Sequence, residues 1–162
     1  ENKKPIWRTL RANMPKITPS SPSKIDTSAK IEGLDLNYMK GMKTMTFTGV
    51  VRSHERPVGY TMVLVFNRVD EHENLTDEEI KQGFQPKPSL SGNDLQVRCS
   101  CPSYRFRFDR ANRDHGAGTG ARFPVYIRKT NRRPNNPRNI PSFCPHIQEF
   151  INYLLERGFI ID

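Results

Sequence analysis

All three cysteines of this 162-residue chain fall in two short words, Cys99-Ser100-Cys101 and Cys144-Pro145-His146. Three thiolates and an imidazole make the Cys3His set that tetrahedral zinc accepts in closed structural sites. Four protein ligands leave no position at which a water could be activated, so the expected role of such a site is to hold the chain and not to react. Isolated cysteines are by default buried apolar residues, with a nearby His incidental. Here the paired spacing, with His146 at a helix start, favours a metal. The odd cysteine count excludes a complete internal disulfide framework and fits folding in a reducing compartment.

Two elements must deliver these ligands. Leu95, Gln96 and Val97 read as a strand that puts Cys99 and Cys101 on one face, because residues i and i+2 of a strand share a side. Pro145 suits the first turn of a helix, where its missing N–H costs nothing, and Gly158 suits its end. Between them Ile147, Phe150, Ile151 and Leu154 fall at i, i+3, i+4 and i+7, an apolar stripe expected to pack on the sheet. A metal at these four residues would tie the strand turn to the helix entry.

The pattern C-x-C…C-x-H, carried by Cys99, Cys101, Cys144 and His146 and opening a helix, resembles the SWIM-type zinc finger over about residues 95–157. The chain departs from that pattern in one respect: 42 residues separate Cys101 from Cys144, so an insertion at 109–143 must loop out. The resemblance implies binding of nucleic acid or protein without catalysis. The run from Arg98 to Phe106, with Tyr126-Ile127-Arg128-Lys129-Thr130 and Asn136-Pro137-Arg138-Asn139-Ile140-Pro141, is also similar to tailed-phage proteins carrying such a finger. That likeness implies a virion.

Composition sets the outer limits. With 35% hydrophobic and 27% charged residues and 13 prolines, part of the chain is expected to stay outside a modest core. A net charge of +9 favours an acidic partner, nucleic acid among them. No apolar stretch approaches the roughly 20 residues that span a bilayer, and the N-terminal residues lack the apolar core of a signal peptide. The expected location is a virion or the cytoplasm, with no membrane partner.

Residues 1–38 read as an extended basic arm, with Lys3, Lys4, Arg8, Arg11, Lys16, Lys24 and Lys30 set among Pro5, Pro15, Pro19 and Pro22. Such an arm is held only by a neighbour, and Ile6 with Trp7, the single Trp, are the candidate anchors on another subunit. Packing on the protein's own body is the alternative. Residues 39–162 read as one α+β domain. Met45, Phe47 and Gly49 alternate with threonines in a half-buried strand, and Tyr60 to Val69 supplies a central strand after a hairpin loop at 53–59. Thr76-x-x-Glu79 is a capping box for a short helix through about Gln82.

Tyr104 to Phe108 alternates aromatic and arginine and reads as a further strand. A buried aromatic face is the plain reading, and bases stacked on exposed rings the sharper one. Residues 98–133 hold ten Lys or Arg against two acids. The stretch Gly116 to Gly120 lacks the ending of a phosphate loop and reads as a flexible turn.

The fold expected is therefore α+β: a small antiparallel sheet with a C-terminal helix, zinc-stapled, behind a long extended arm. The function expected is a non-enzymatic structural or assembly protein of a viral particle, bound to other protein subunits. The alternative is nucleic-acid binding through Arg105, Arg107, Arg110, Arg113, Arg122, Arg128, Lys129, Arg132 and Arg133. No small-molecule substrate is expected, and an enzyme would have to draw on Asp109, Asp114 and His115. His54, His72 and His115 otherwise read as surface residues.

Overall fold

Alternation of apolar residues with threonine builds the first long pairing, in which β2 (Thr44–Ser53) runs antiparallel to β3 (Arg56–Phe66). The computed structural model describes residues 10–13, 30–53, 56–101, 104, 105, 108–121, 123 and 139–161. Together with β1 (Lys30–Met39) and β4 (Leu95–Cys99), these strands form a four-stranded antiparallel meander in the order β1-β2-β3-β4. Register places Leu36, Phe47, Leu64 and Val97 in one cross-strand row and Leu34, Gly49, Met62 and Cys99 in the next. These rows face the core. The hairpin strands run further than expected, through residue 53 on one side and from residue 56 on the other.

Part of the stretch expected as an arm over residues 1–38 is a strand of the sheet. Residues 30–38 belong to β1, which pairs with β2 along its length. Leu34, Leu36 and Tyr38 alternate with Asp35 and Asn37, and the alternating residues pack against the core. A bulge between Ile31 and Gly33 shifts the phase by one residue, which brings Ile31 to the same packed face. Further upstream, residues 10–13 form a helical turn whose Leu10 is fully buried in the core. Ile6 and Trp7 lie outside the described residues.

Among the described residues the short helices α1 (Glu71–Asn74), α2 (Asp77–Lys81) and α3 (Asp109–Asp114) follow one another in the chain. The capping box at α2 is present in both directions, Thr76 Oγ1 accepting from Glu79 N and Glu79 Oε1 accepting from Thr76 N. Helix α4 (Pro145–Glu156) buries the four residues of its apolar stripe, Ile147, Phe150, Ile151 and Leu154, each worth about 1.5–3 kcal/mol on complete burial. Gly158, at φ 75°, takes the left-handed conformation just past its end. Phe150 reaches the sheet at Gly49, where a Cβ would lie 2.8 Å from its ring, so the close approach of helix and sheet requires glycine there. Among the described residues no helix is long and apolar enough to cross a membrane.

Of the strand expected from Tyr104 to Phe108, the described residues Tyr104, Arg105 and Phe108 are not in a strand. Tyr104 and Arg105 are helical, and Phe108 N donates to Tyr104 O at 2.9 Å. The reason is local: Arg105 N donates to Cys101 O, and so folds the chain back where Pro102 cannot continue a ladder. Tyr104 and Phe108 are both buried, with ring centroids 6.2 Å apart, so neither offers a face for stacking bases. Their spacing of four satisfies a strand and a helix alike. Nor is residues 116–120 a free turn. Val97 N donates to Ala117 O at 2.7 Å, and Val97 and Gly118 form a parallel bridge on the outer edge of β4.

Candidate metal centre

The end of β4 carries Cys99 inward, and the next residue makes the corner. Ser100 N donates to Thr61 O at 3.0 Å, while Ser100 Oγ accepts from Thr61 N at 2.9 Å. The hydroxyl thus takes the place of a backbone carbonyl in the ladder. The main chain is free to turn, and Cys101 swings to the same side as Cys99. Cys101 Sγ then accepts a hydrogen bond from Tyr104 N at 3.4 Å. From the other side, Cys144 occupies the N-cap of α4 and His146 its first turn, with no side-chain cap bond to occupy the sulfur.

The donor atoms of Cys99, Cys101, Cys144 and His146 all lie within 4.8 Å of one another. A tetrahedron with metal–sulfur bonds of about 2.3 Å has edges of about 3.8 Å, so a contraction of about 1 Å or less closes the group around an ion. The three cysteines are free thiols and are buried to 1% exposure or less. His146 Nδ1 is also buried and has no hydrogen-bond partner among the described residues. A buried ring nitrogen without a partner is costly unless something else binds it. The Tyr60 ring lies at 5.4 Å from the His146 ring and closes that side.

Electrostatics lead to the same requirement. Hydrogen bonds from the Cys144 and Cys99 thiols hold the Cys101 thiol far below its ordinary value. The Cys99 thiol is pushed up, first by its bond to Cys101 and then by burial. Burial, followed by the neighbouring sulfurs, raises Cys144 well above the thiol range. Three thiolates at this spacing need a cation among them.

A second tier of polar contacts ties the two limbs together, and the sequence reading missed all of it. Asn112 on α3 is fully buried. Its Nδ2 donates to Ser142 O at 2.6 Å and its Oδ1 accepts from Ser142 N at 2.9 Å. The same Nδ2 reaches the Tyr104 hydroxyl at 3.1 Å, which in turn donates to Val97 O at 2.7 Å. Burial raises the pKa of that tyrosine and keeps it a neutral donor. The only trace in sequence is that Tyr104, Phe108 and Asn112 are spaced by four, legible once the segment is read as helical.

Of the nine basic residues expected to meet nucleic acid, three are described. Arg105 is exposed, with its guanidinium 5.3 Å from the centre of the Phe123 ring, and Arg98 lies over the same ring at 4.0 Å. Arg110 is exposed and 4.0 Å from Asp114. Arg113 turns inward: it pairs with buried Asp109 at 3.2 Å and donates to the carbonyls of Thr119, Gly120 and Ala121. It holds the loop together and is not presented to a partner. Arg107, Arg122, Arg128, Lys129, Arg132 and Arg133 lie outside the described residues, as does His54. Asp114 accepts from Asn139 Nδ2, and His115 Nε2 is 3.0 Å from Asn139 O. Asp109, Asp114 and His115 do not converge on a metal group; among the described residues the Cys3His group is the one that could hold an ion.

Fold and centre together define a small α+β protein with a buried Cys3His group positioned to bind a metal ion. Compared with protein-family models, with curated proteins and with solved structures, the chain matches none.

Proposed function

We propose that this chain is a non-enzymatic structural protein, stapled by zinc at Cys99, Cys101, Cys144 and His146, that assembles with other protein subunits through its N-terminal segment. The observation that carries the reading is where the ligands sit. Three sulfurs with 1% exposure or less belong to the same hydrophobic cluster as Phe143, Ile147 and Leu10. Four protein donors would fill a tetrahedral shell and leave no open position for a substrate. The soft donor set favours zinc over the hard cations that take oxygen ligands. The likeness of C-x-C…C-x-H to SWIM-type fingers supports the same metal, and the likeness to tailed-phage proteins supports a viral particle as the assembly.

The second reading is a SWIM-like module that binds nucleic acid through its arginine-rich insertion. Its support is the net charge of +9 and the exposure of Arg105 and Arg110. The inward Arg113 weighs against it.

Native mass spectrometry with and without chelator tests both readings. One zinc per chain together with self-association supports the assembly protein. A zinc-loaded monomer that binds nucleic acid, and loses it steeply as salt rises, supports the second reading. A chain that takes up no zinc overturns both.

A further inference from the structure

We propose that the metal centre and the N-terminal helical turn at residues 10–13 form one coupled unit, so that metal occupancy decides whether the N-terminal segment stays fastened to the body. This deepens the assembly reading and rests on its metal, not on the identity of any partner.

The coupling is built from the limb that leads into Cys144. Ser142, fully buried, donates its hydroxyl to Leu10 O at 2.7 Å, and Asn13 Nδ2 donates to Pro141 O at 2.9 Å. Leu10 itself has no exposed surface and lies in the core cluster that holds Phe143, Cys144, Cys99 and Cys101. Residues 10–13 are helical, and Leu10, Asn13 and the Leu10 carbonyl all make tertiary contacts with the body. Two of those contacts go to Pro141 and Ser142, which stand three and two residues before Cys144. Residues 139–144 are themselves irregular and have no place in the sheet. Their position depends on Asn112, on the contacts of Asn139 with Asp114 and His115, on the burial of Phe143, and on Cys144. A bound ion fixes Cys144 against Cys99 and Cys101, which holds Ser142 at the distance Leu10 requires. Loss of the ion removes the support next to Ser142 on the Cys144 side. By linkage, whatever the ion contributes to holding the turn, the turn returns to the affinity for the ion.

The test uses the full chain with zinc(II) as the metal. Backbone order parameters are measured by NMR, and zinc content by native mass spectrometry. In the zinc-loaded protein the amides of residues 10–13 are expected near 0.85, and after chelation, read at a temperature below the lowered melting transition at which residues 45–51 of β2 stay rigid, below about 0.6. Ser142→Ala supplies the arm that does not depend on surviving chelation. It should keep one zinc per chain and a rigid β2, loosen residues 10–13, and weaken zinc by about 5- to 150-fold. Leu10→Ala should act in the same direction, and Leu36→Ala, on the edge strand, should leave zinc affinity alone. The coupling is overturned if zinc leaves and residues 10–13 stay rigid with the sheet intact, or if Ser142→Ala loosens them with zinc affinity unchanged. Should chelation unfold the whole chain, the Ser142→Ala affinity decides. Failure to bind zinc at all is a separate result, seen in the mass spectrum, and overturns the metal reading and this coupling together.

Discussion

Asn112 binds Ser142 as one peptide group binds another, its Nδ2 donating to the carbonyl and its Oδ1 accepting from the N–H. The pair spans 30 residues of sequence and joins the helix that follows the Cys101 limb to the stretch that precedes Cys144. Asn112→Ala would leave both backbone groups of Ser142 buried without partners, and each such group costs about 1–3 kcal/mol. A loss of about 2–5 kcal/mol is therefore expected in denaturant unfolding of the metal-loaded protein. Because Asn112 also positions Tyr104, metal affinity measured by chelator competition should fall about 10–100-fold. A variant as stable and as tightly metallated as the parent would show that the clamp is idle.

Removal of the metal is expected to reach beyond residues 95–157. Cys99 lies in a cross-strand row with Met62, Gly49 and Leu34, and the three cysteines belong to the one core cluster that includes Met45 and Phe66. Structural zinc contributes about 10–16 kcal/mol of apparent binding free energy at neutral pH, against a domain stability of about 5–15 kcal/mol. Chelation, or Cys144→Ser, should accordingly lower the melting temperature of the sheet as well as of the helix. Near-ultraviolet circular dichroism and far-ultraviolet melting read both at once. An unchanged melt in strong chelator would remove the staple.

Affinity for the ion should rise with pH. In the metal-free protein the Cys99 thiol is pushed up by its bond to Cys101 and by burial, and the Cys144 thiol by burial and the neighbouring sulfurs, so both favour the protonated form. Ligation requires thiolates, so the free state binds more protons than the loaded one, and binding should strengthen as pH rises. The sign is fixed by which state carries more protons: binding weakens as pH falls. Competition titrations at two pH values, with proton release read in buffers of different ionisation enthalpy, measure the slope. A flat dependence would mean that the thiols are already ionised without metal.

The parts of this architecture that were legible in the sequence are those where residue type is scarce or period is clean. Three cysteines in an otherwise cysteine-free chain left little choice of ligands, and the helix after Cys144 shows one unbroken stripe between Pro145 and Gly158. Strand β1 was hidden because its bulge at Ile31 and Gly33 breaks the alternation, and because Lys30, Glu32 and Asp35 continue the polar look of the residues before them. Tyr104 to Phe108 misled for another reason: a spacing of four fits two periods, and only the carbonyl of Cys101 decides between them. Ser100 carries no sequence signal and Asn112 only its spacing of four from Phe108, since their importance comes from backbone groups that the fold brings to them.

The approach of helix to sheet gives the sharpest steric prediction. Gly49 and Cys99 lie in the same cross-strand row, and a Cβ on residue 49 would stand 2.8 and 2.9 Å from two atoms of the Phe150 ring. Phe150 is fully buried. Gly49→Ala should therefore overpack the core and cost about 1–3 kcal/mol in denaturant unfolding. Gly33→Ala is the matched control, because a Cβ there meets nothing within 4 Å and the residue sits on the edge strand. The compensating change Phe150→Leu should relieve the clash, so that the double variant loses less than the sum of the two single ones. Since α4 carries Cys144 and His146 at its start, a shifted helix should also weaken the metal in Gly49→Ala and recover part of it in the double variant. Additive losses, or a Gly49→Ala protein as stable as Gly33→Ala, would show that helix and sheet have room to part.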